Sequence, residues 1–367
     1  MITLSCWMLC VSVALMAYCY LLYPCIVILL ARLFPRPVRK ADETPVVTIL
    51  VPAHNEATII QKKIENTLAL EYAPGRMEVL LISDGSDDGT ERIAARYAGP
   101  GVAVVAFPER RGKLRALLDA LPRARGDILV FSDASGMLRP NALRAMVSNF
   151  ADPQVGCVCG YYKSTALDRR KAAGELIYWD YEFAIKRAES RLSTLLGATG
   201  AMYAVRREAF VPPDPDTIND DFVIPALVTL RGFRTVLEER AVVDDCDPRM
   251  GNFRSRMRVA AGNWQQLFSL RGLLSPRNPL VCWQFVSHKL LRMVTPLLML
   301  AALASMLVVA PGPALALVLL VSLAAIPWRR GSGGVVRAAA GKFIEGNAAG
   351  LCGMAVFFLR PGTLKWS

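Results

Sequence analysis

Two kinds of hydrophobic pattern divide the chain. From about residue 6 to residue 31 almost every position is apolar, and the first charged residue is Arg32. As a helix, a run of that length covers a bilayer core of roughly 30 Å. It lacks the basic start, short apolar core and small-residue cleavage site of a secretory signal, so it is expected to remain as a transmembrane helix. From Val46 the pattern changes to short apolar strands alternating with amphipathic helices. Strands are predicted over 46–51, 77–82, 102–107 and 128–132, and helices over 57–70, 90–98 and 113–121, with a further helix opened by Pro140. In the first of these helices Ile60, Ile64 and Leu68 share one face, and in the last Leu143, Met146, Val147 and Phe150 do the same. Strand and helix in alternation are the sequence form of a parallel α/β sheet. Further on, 290–310 and 314–327 form a second apolar pair, split by Pro311, Gly312 and Pro313 and closed by Arg329 and Arg330, which predicts a helical hairpin. The stretch 343–359 contains Glu345, Asn347 and several glycines, and reads as a third span or as an interfacial helix.

Composition supports this division. The 367 residues are 53% hydrophobic yet 20% charged, which fits a polar domain joined to membrane segments. Arg32, Arg36, Arg39 and Lys40 follow the first apolar run, and such a cluster marks the cytoplasmic side. The expected organisation is therefore a transmembrane helix (1–33), a cytoplasmic domain (34–276), an interfacial amphipathic helix (277–289) and a C-terminal membrane region of two or three helices (290–367). The nine cysteines show no paired spacing, and Cys6, Cys10, Cys19, Cys25 and Cys352 lie in apolar segments. Neither a disulfide framework nor a zinc site is indicated. His54 and His288 are the only histidines, so acid-base chemistry falls to carboxylates. The formal charge of +12 points to anionic lipid headgroups and phosphate-bearing substrates rather than nucleic acid, because no basic stripe is interleaved with aromatics.

Ligands of open α/β sheets bind beyond the carboxyl ends of the strands. Two predicted strands end there on an acid, Asp84 and Asp133. Most loop Asp residues are helix caps or turn formers, a role that suits Asp87, Asp88 and Thr90 well. Asp84 and Asp133, at one edge of one sheet, are candidates for ligand binding. Arg110, Arg111, Gly112 and Lys113 precede a helix and read either as a phosphate contact or as a solvated basic turn.

Six stretches taken together resemble the membrane-bound family 2 glycosyltransferases of the cellulose-synthase-like type. They are Val47 to Glu56, Ser83 to Thr90, Phe131 to Ser135, Asn219 to Pro225, Arg254 to Arg258 and Ser287 to Arg292. The resemblance implies a GT-A-like, parallel-rich sheet flanked by helices on the cytoplasmic face of a bacterial-type inner membrane, with transmembrane helices at both ends. It implies inverting transfer from a UDP-sugar to a lipid-linked or polysaccharide acceptor, with membrane lipids and other synthesis or export subunits as partners. Pro52, Glu56, Asp84, Lys113, Asp133 and Arg258 fall at donor-binding positions, with Asp84 facing the uracil. Asp133 begins what is in the family an Asp-x-Asp motif for Mg²⁺ or Mn²⁺, but its third residue here is Ser135, a neutral and weaker ligand. The pair Asp220 and Asp221 matches the family's acidic pair, whose second member is the general base. In the Arg254 to Arg258 stretch Ser255 and Val259 replace the family's Gln and Trp, while Arg258 keeps the diphosphate-binding Arg. Trp264 is a candidate for stacking on a sugar or for packing at the membrane.

One N-terminal and two or three C-terminal helices are fewer than a synthase with its own channel requires, which favours single addition or a polymerase with a partner. The departures at Ser135 and Ser255 leave open a catalytically inactive nucleotide-binding subunit, and the strand-end Asp logic is shared with sugar nucleotidyltransferases.

Overall fold

The protein is seen here as a computed structural model that describes residues 2–164, 173–245, 252–316 and 335–359. The N-terminal apolar run forms α1 (Ile2–Ala17), a π-helical turn (Tyr18–Leu22) and α2 (Tyr23–Leu33). The alternating stretch forms β1 (Val47–Ala53), α3 (Ile60–Leu68), β2 (Met77–Asp84), α4 (Thr90–Ala95), β3 (Val102–Phe107), α5 (Lys113–Ala120) and β4 (Ile128–Phe131). Then come β5 (Gly136–Leu138), α6 (Ala142–Val147), β6 (Val155–Ser164), α7 (Ala173–Leu192), β7 (Tyr203–Arg206), α8 (Asp220–Leu230) and β8 (Arg234–Asp245). Further helices are α9 (Phe253–Ser269), α10 (Pro279–Gln284), α11 (Leu291–Val309) and α12 (Val335–Leu359).

These elements divide into a sheet unit (Arg36–Ala166 and Ser193–Pro248) and a helical unit (Met1–Pro35, Leu167–Leu192 and Arg249–Leu364). The sheet unit holds eight strands in the order β3-β2-β1-β4-β7-β6-β8-β5. The first four in that order, β3, β2, β1 and β4, are mutually parallel, and β7 then enters antiparallel to both β4 and β6. Every residue of β1 and β4 is buried. Burial on both faces explains why these strands read as continuous apolar runs without alternation. Helix α3 starts at Ile60, three residues later than the periodicity predicts, because the preceding backbone is held in a loop by the segment after β2. Across the β4/β7 seam Phe131 stacks on Tyr203 with ring centroids 4.6 Å apart. Such a pair adds about 0.5–1.5 kcal/mol beyond its buried area.

In the helical unit α2 and α7 share a core of Tyr23, Val27, Ala31, Ile185, Ala188 and Leu192. Beside it a buried ionic cluster forms, in which Glu182 accepts from Arg292 at 2.6 Å and His288 Nδ1 lies 2.7 Å from Glu189. Two helical stretches, Ile2–Leu33 and Pro279–Val309, are long and apolar enough to cross a bilayer. Of the segment 277–289, predicted as interfacial, residues 279–289 fall within the second of these. Of the predicted pair, 314–327 lies mostly outside the described residues, while Phe343–Leu359 forms the apolar part of α12.

Candidate active site

The carboxyl ends of β1 and β2 are tied to each other. Asn55 adopts φ 55°, and its Oδ1 accepts from the Asp87 amide at 3.0 Å. Asp88 accepts from the amides of Ala57 and Thr90, both at 2.9 Å, and Thr90 Oγ1 accepts from the Glu56 amide at 2.9 Å. Asp88 and Thr90 thus serve as turn residues. Asp84 acts differently. It is 3% exposed and accepts from the amides of Arg111 at 2.7 Å and Gly112 at 2.8 Å. The carboxylate at the end of β2 therefore anchors the basic loop that delivers Lys113. His54 Nδ1 lies 2.7 Å from the Asp84 carbonyl oxygen. A carbonyl can only accept, so Nδ1 is the donor in this contact. Pro52 is buried in β1 and Glu56 is half-buried just beyond it.

Lys113, the first residue of α5, is 8% exposed, and its ammonium is the centre of a carboxylate cluster. Its Nζ lies 2.8 Å from Asp133 Oδ1 and 3.3 Å from Asp220 Oδ2. Burial alone would push the ammonium toward neutrality, but Asp133, Asp220 and Asp221 outweigh it and raise the Lys113 pKa above the ordinary lysine value. Tyr203 reports the same negative field: burial, with Asp220 and Asp221 behind it, drives its phenol well above the usual range.

Asp220 and Asp221 open α8 behind Asn219. Successive residues on a helix point about 100° apart. Accordingly Asp220 is buried against Lys113 while Asp221 is half-exposed. The Asp221 carbonyl accepts from the Ala198 amide at 2.7 Å, which joins the start of α8 to the small-residue loop Gly197 to Gly200. At Gly200 a Cβ would stand 3.0 Å from Asp133 Oδ2 and 3.7 Å from Asp221 Oδ2. A side chain there would press on Asp133, so the glycine gives both carboxylates room to face the same small space.

A residue not singled out from the sequence holds the loop that carries Asp133. Lys63 is fully buried on α3 and donates to Ser132 Oγ at 2.7 Å and to the Gly136 carbonyl at 2.5 Å. Ser132 in turn donates to the Ala201 carbonyl at 2.9 Å. In sequence Lys63 is one of two adjacent lysines in an amphipathic helix, and only its place on the apolar face beside Ile60, Ile64 and Thr67 distinguishes it. Ser135 is half-buried in the turn ahead of β5, and Arg258 lies on α9 of the helical unit.

Among the described residues no three His, Cys, Asp or Glu side chains converge to hold a metal alone. Asp133 offers one carboxylate, with Oδ1 engaged by Lys113 and Oδ2 facing the space beside Gly200. That donor set fits a divalent ion whose other ligands come from a diphosphate and water, not a preformed cage. A cavity of about 380 Å³ lies elsewhere, lined by Asp127 and Ile128 at the amino end of β4 and by Arg206 and Arg207. Both arginines there are engaged by backbone carbonyls, so the chemistry belongs to the carboxylate cluster.

The class follows from comparison with known proteins. The chain matches the mannosyltransferase PcManGT from Pyrobaculum calidifontis, solved with GDP-Man and Mn²⁺, with a TM-score of 0.75 over 96% of this chain and 99% of that one. At 23% identity this establishes the fold, a GT-A-like mixed sheet flanked by helices. Residues 48–211 match the family described as Glycosyl transferase family 2, so the chain carries a family 2 glycosyltransferase domain. An N-acetylglucosaminyltransferase of Rhizobium meliloti is 24% identical over 73% of this chain and 67% of its own length. The poly-beta-1,6-N-acetyl-D-glucosamine synthase of Staphylococcus epidermidis is 24% identical over 60% of this chain and 55% of its own length. The chain therefore matches between about half and two thirds of these relatives' lengths.

Proposed function

We propose that this chain moves a sugar from a UDP-sugar to a membrane-associated acceptor, with inversion, in the synthesis of a polysaccharide or glycolipid. The observation that carries the reading is the meeting of Lys113, Asp133, Asp220 and Asp221 beside Gly200. A single displacement breaks the bond from the anomeric carbon to the diphosphate as the acceptor oxygen bonds to that carbon from the opposite side. It needs positive charge on the leaving side and a base on the other. Lys113, held cationic, supplies charge at the diphosphate. Asp133, with Ser135 nearby, would hold Mg²⁺ or Mn²⁺ together with the diphosphate oxygens, and the bound ion would act as a Lewis acid for the departing charge. Asp220 is committed to Lys113, so Asp221 is the carboxylate that takes the acceptor proton. Arg258 is assigned a second contact to the diphosphate. Pro52, Glu56 and Asp84 are assigned to the nucleoside end, Asp84 acting through the loop it anchors.

Attachment to a bacterial-type inner membrane is supported by the two apolar helical stretches and by the basic cluster from Arg32 to Lys40, which assigns the sheet unit to the cytoplasm. The relatives' names make UDP-N-acetylglucosamine the first donor to try, and PcManGT adds GDP-mannose to the panel. The deciding assay is nucleotide release by detergent-purified protein with Mn²⁺ or Mg²⁺ and lipid extract, beside Asp221→Asn. Release specific to one donor and lost in the variant supports the reading. Equal release by both proteins removes Asp221 from the base role, and release with GDP-mannose alone refutes the UDP-sugar assignment.

A further inference from the structure

Residues 248–344 contain twelve of the 43 Lys and Arg residues and none of the 31 Asp and Glu residues. The rest of the chain therefore holds 31 of each, and the whole formal charge of +12 resides in this one stretch. Counter-charges for some of these cations come from outside the stretch: Glu182 pairs with Arg292 at 2.6 Å, and Glu345 lies 4.0 Å from Arg256. Arg271 and Arg277 face no acidic side chain among the described residues. Both are exposed in the turn between α9 and α10, immediately before the apolar stretch Pro279–Val309.

That turn is built to present a face. Arg271–Leu274 is a single 3₁₀ turn, in which side chains three apart eclipse. Leu270 and Leu273, each 1% exposed, anchor it inward. Leu274 at 37% and Phe268 at 45% remain exposed, and the Arg271 guanidinium lies 5.8 Å from the Phe268 ring. The Asn278 side chain caps α10 by accepting from the Val281 amide, so the turn leads directly into the spanning helix. Exposed apolar side chains alternating with unpaired arginines at the end of an apolar span match a headgroup layer, with the rings and aliphatic groups toward the acyl boundary and the guanidinium groups at the phosphates.

We propose that Phe268, Arg271, Leu274 and Arg277 form a docking surface for anionic phospholipid of the bilayer. This rests on the reading that Pro279–Val309 is embedded in a membrane. The test uses the full chain in mild detergent with equal amounts of phosphatidylglycerol and phosphatidylcholine of matched acyl chains. After washing, the retained lipids are quantified by mass spectrometry. Wild type is expected to retain the anionic lipid several-fold above its share of the mixture. Arg271→Gln with Arg277→Gln should lower that ratio by about fivefold per arginine lost, until it reaches the ratio of the mixture. Arg76→Gln with Arg96→Gln removes the same charge from the surface of the sheet unit and should leave the ratio unchanged. Retention by wild type at the ratio of the mixture, or equal losses in both double variants, would overturn the proposal while leaving the membrane reading intact. A chain that stays monodisperse without detergent and retains no lipid would overturn both.

Discussion

Replacing Lys113 with Met removes one positive charge from between Asp133 and Asp220 while keeping an unbranched stem of similar reach. Breaking a buried ion pair by removing one partner costs about 3–5 kcal/mol, because the other charge is left uncompensated. Asp220 is in that situation, with its side chain 8% exposed, whereas Asp133 at 32% is partly solvated and contributes much less. A net loss of about 2–4 kcal/mol follows, which in a unit of this size lowers the Tm by roughly 5–15 °C. The pH dependence separates this cause from a packing defect. Lys113 has its pKa raised in the folded protein, so its stabilisation is complete below the ordinary lysine pKa and is lost only as pH rises through the raised value. Wild type gains and loses nothing from this group between pH 5 and 8. In the variant, protonation of the stranded carboxylates relieves their burial, so stability is recovered as pH falls. Thermal unfolding of both proteins at several pH values should show a gap that is widest near pH 8 and narrows toward pH 5. A gap of constant size, or none, would mean that the cluster is not held by the lysine charge, and its assignment to catalysis would fall with it.

Three other substitutions test the parts of the site separately. Gly200→Ala places a methyl group 3.0 Å from Asp133 Oδ2, and Mn²⁺-dependent donor binding is expected to weaken about tenfold by titration calorimetry, at about 1.4 kcal/mol per decade; unchanged binding would show that the carboxylate does not face the donor there. Lys63→Met strips Ser132 Oγ and the Gly136 carbonyl of their buried donor and should cost about 1–3 kcal/mol in denaturant unfolding, with activity falling as the Asp133 loop loosens. Full activity in that variant would mean that the loop is positioned by other contacts. Ser135→Asp supplies a second carboxylate two residues from Asp133 and should make Mn²⁺ binding measurable without nucleotide; no gain in affinity would place Ser135 outside the ion's reach.

Strands β1 to β4 were legible because each is a compact apolar run bounded by turn residues, with β1 and β4 buried on both faces. The other four strands were not. β7 has four residues and β5 three, too short for either period to emerge, and their partners β6 and β8 are set by contacts distant in sequence. Single site residues were legible where a strand ends on a carboxylate, as at Asp84 and Asp133. Their connections were not: Asp84 bonds to backbone amides 27 and 28 positions away, and Lys63 reaches across 69 and 73 positions to the loop after β4. Backbone amides carry no sequence signature, and a buried lysine is spelled like an exposed one. A loop with an Arg-Arg-Gly-Lys run could therefore be read as a phosphate contact or as a solvated turn until the anchoring carboxylate was seen.

The antiparallel entry of β7 makes the site possible. β4 ends at the edge where ligands of parallel sheets bind, and a parallel neighbour would have placed its amino end at the opposite edge. Because β7 runs the other way, the loop before it, Gly197 to Met202, lies at the same edge as the loop after β4, and the pairing of Phe131 with Tyr203 sets their register. Ser132 then reaches the Ala201 carbonyl, Gly200 comes against Asp133, and the Ala198 amide holds the start of α8 where Asp220 meets Lys113. The proposed leaving-group cation and the proposed acceptor base thus come from opposite sides of one strand seam. Substitutions that shift this seam, such as Tyr203→Ala with loss of the ring stacked on Phe131, act on both sides together. Their activity loss should be non-additive with Lys113→Met in a double-mutant cycle, because the two changes disrupt one arrangement.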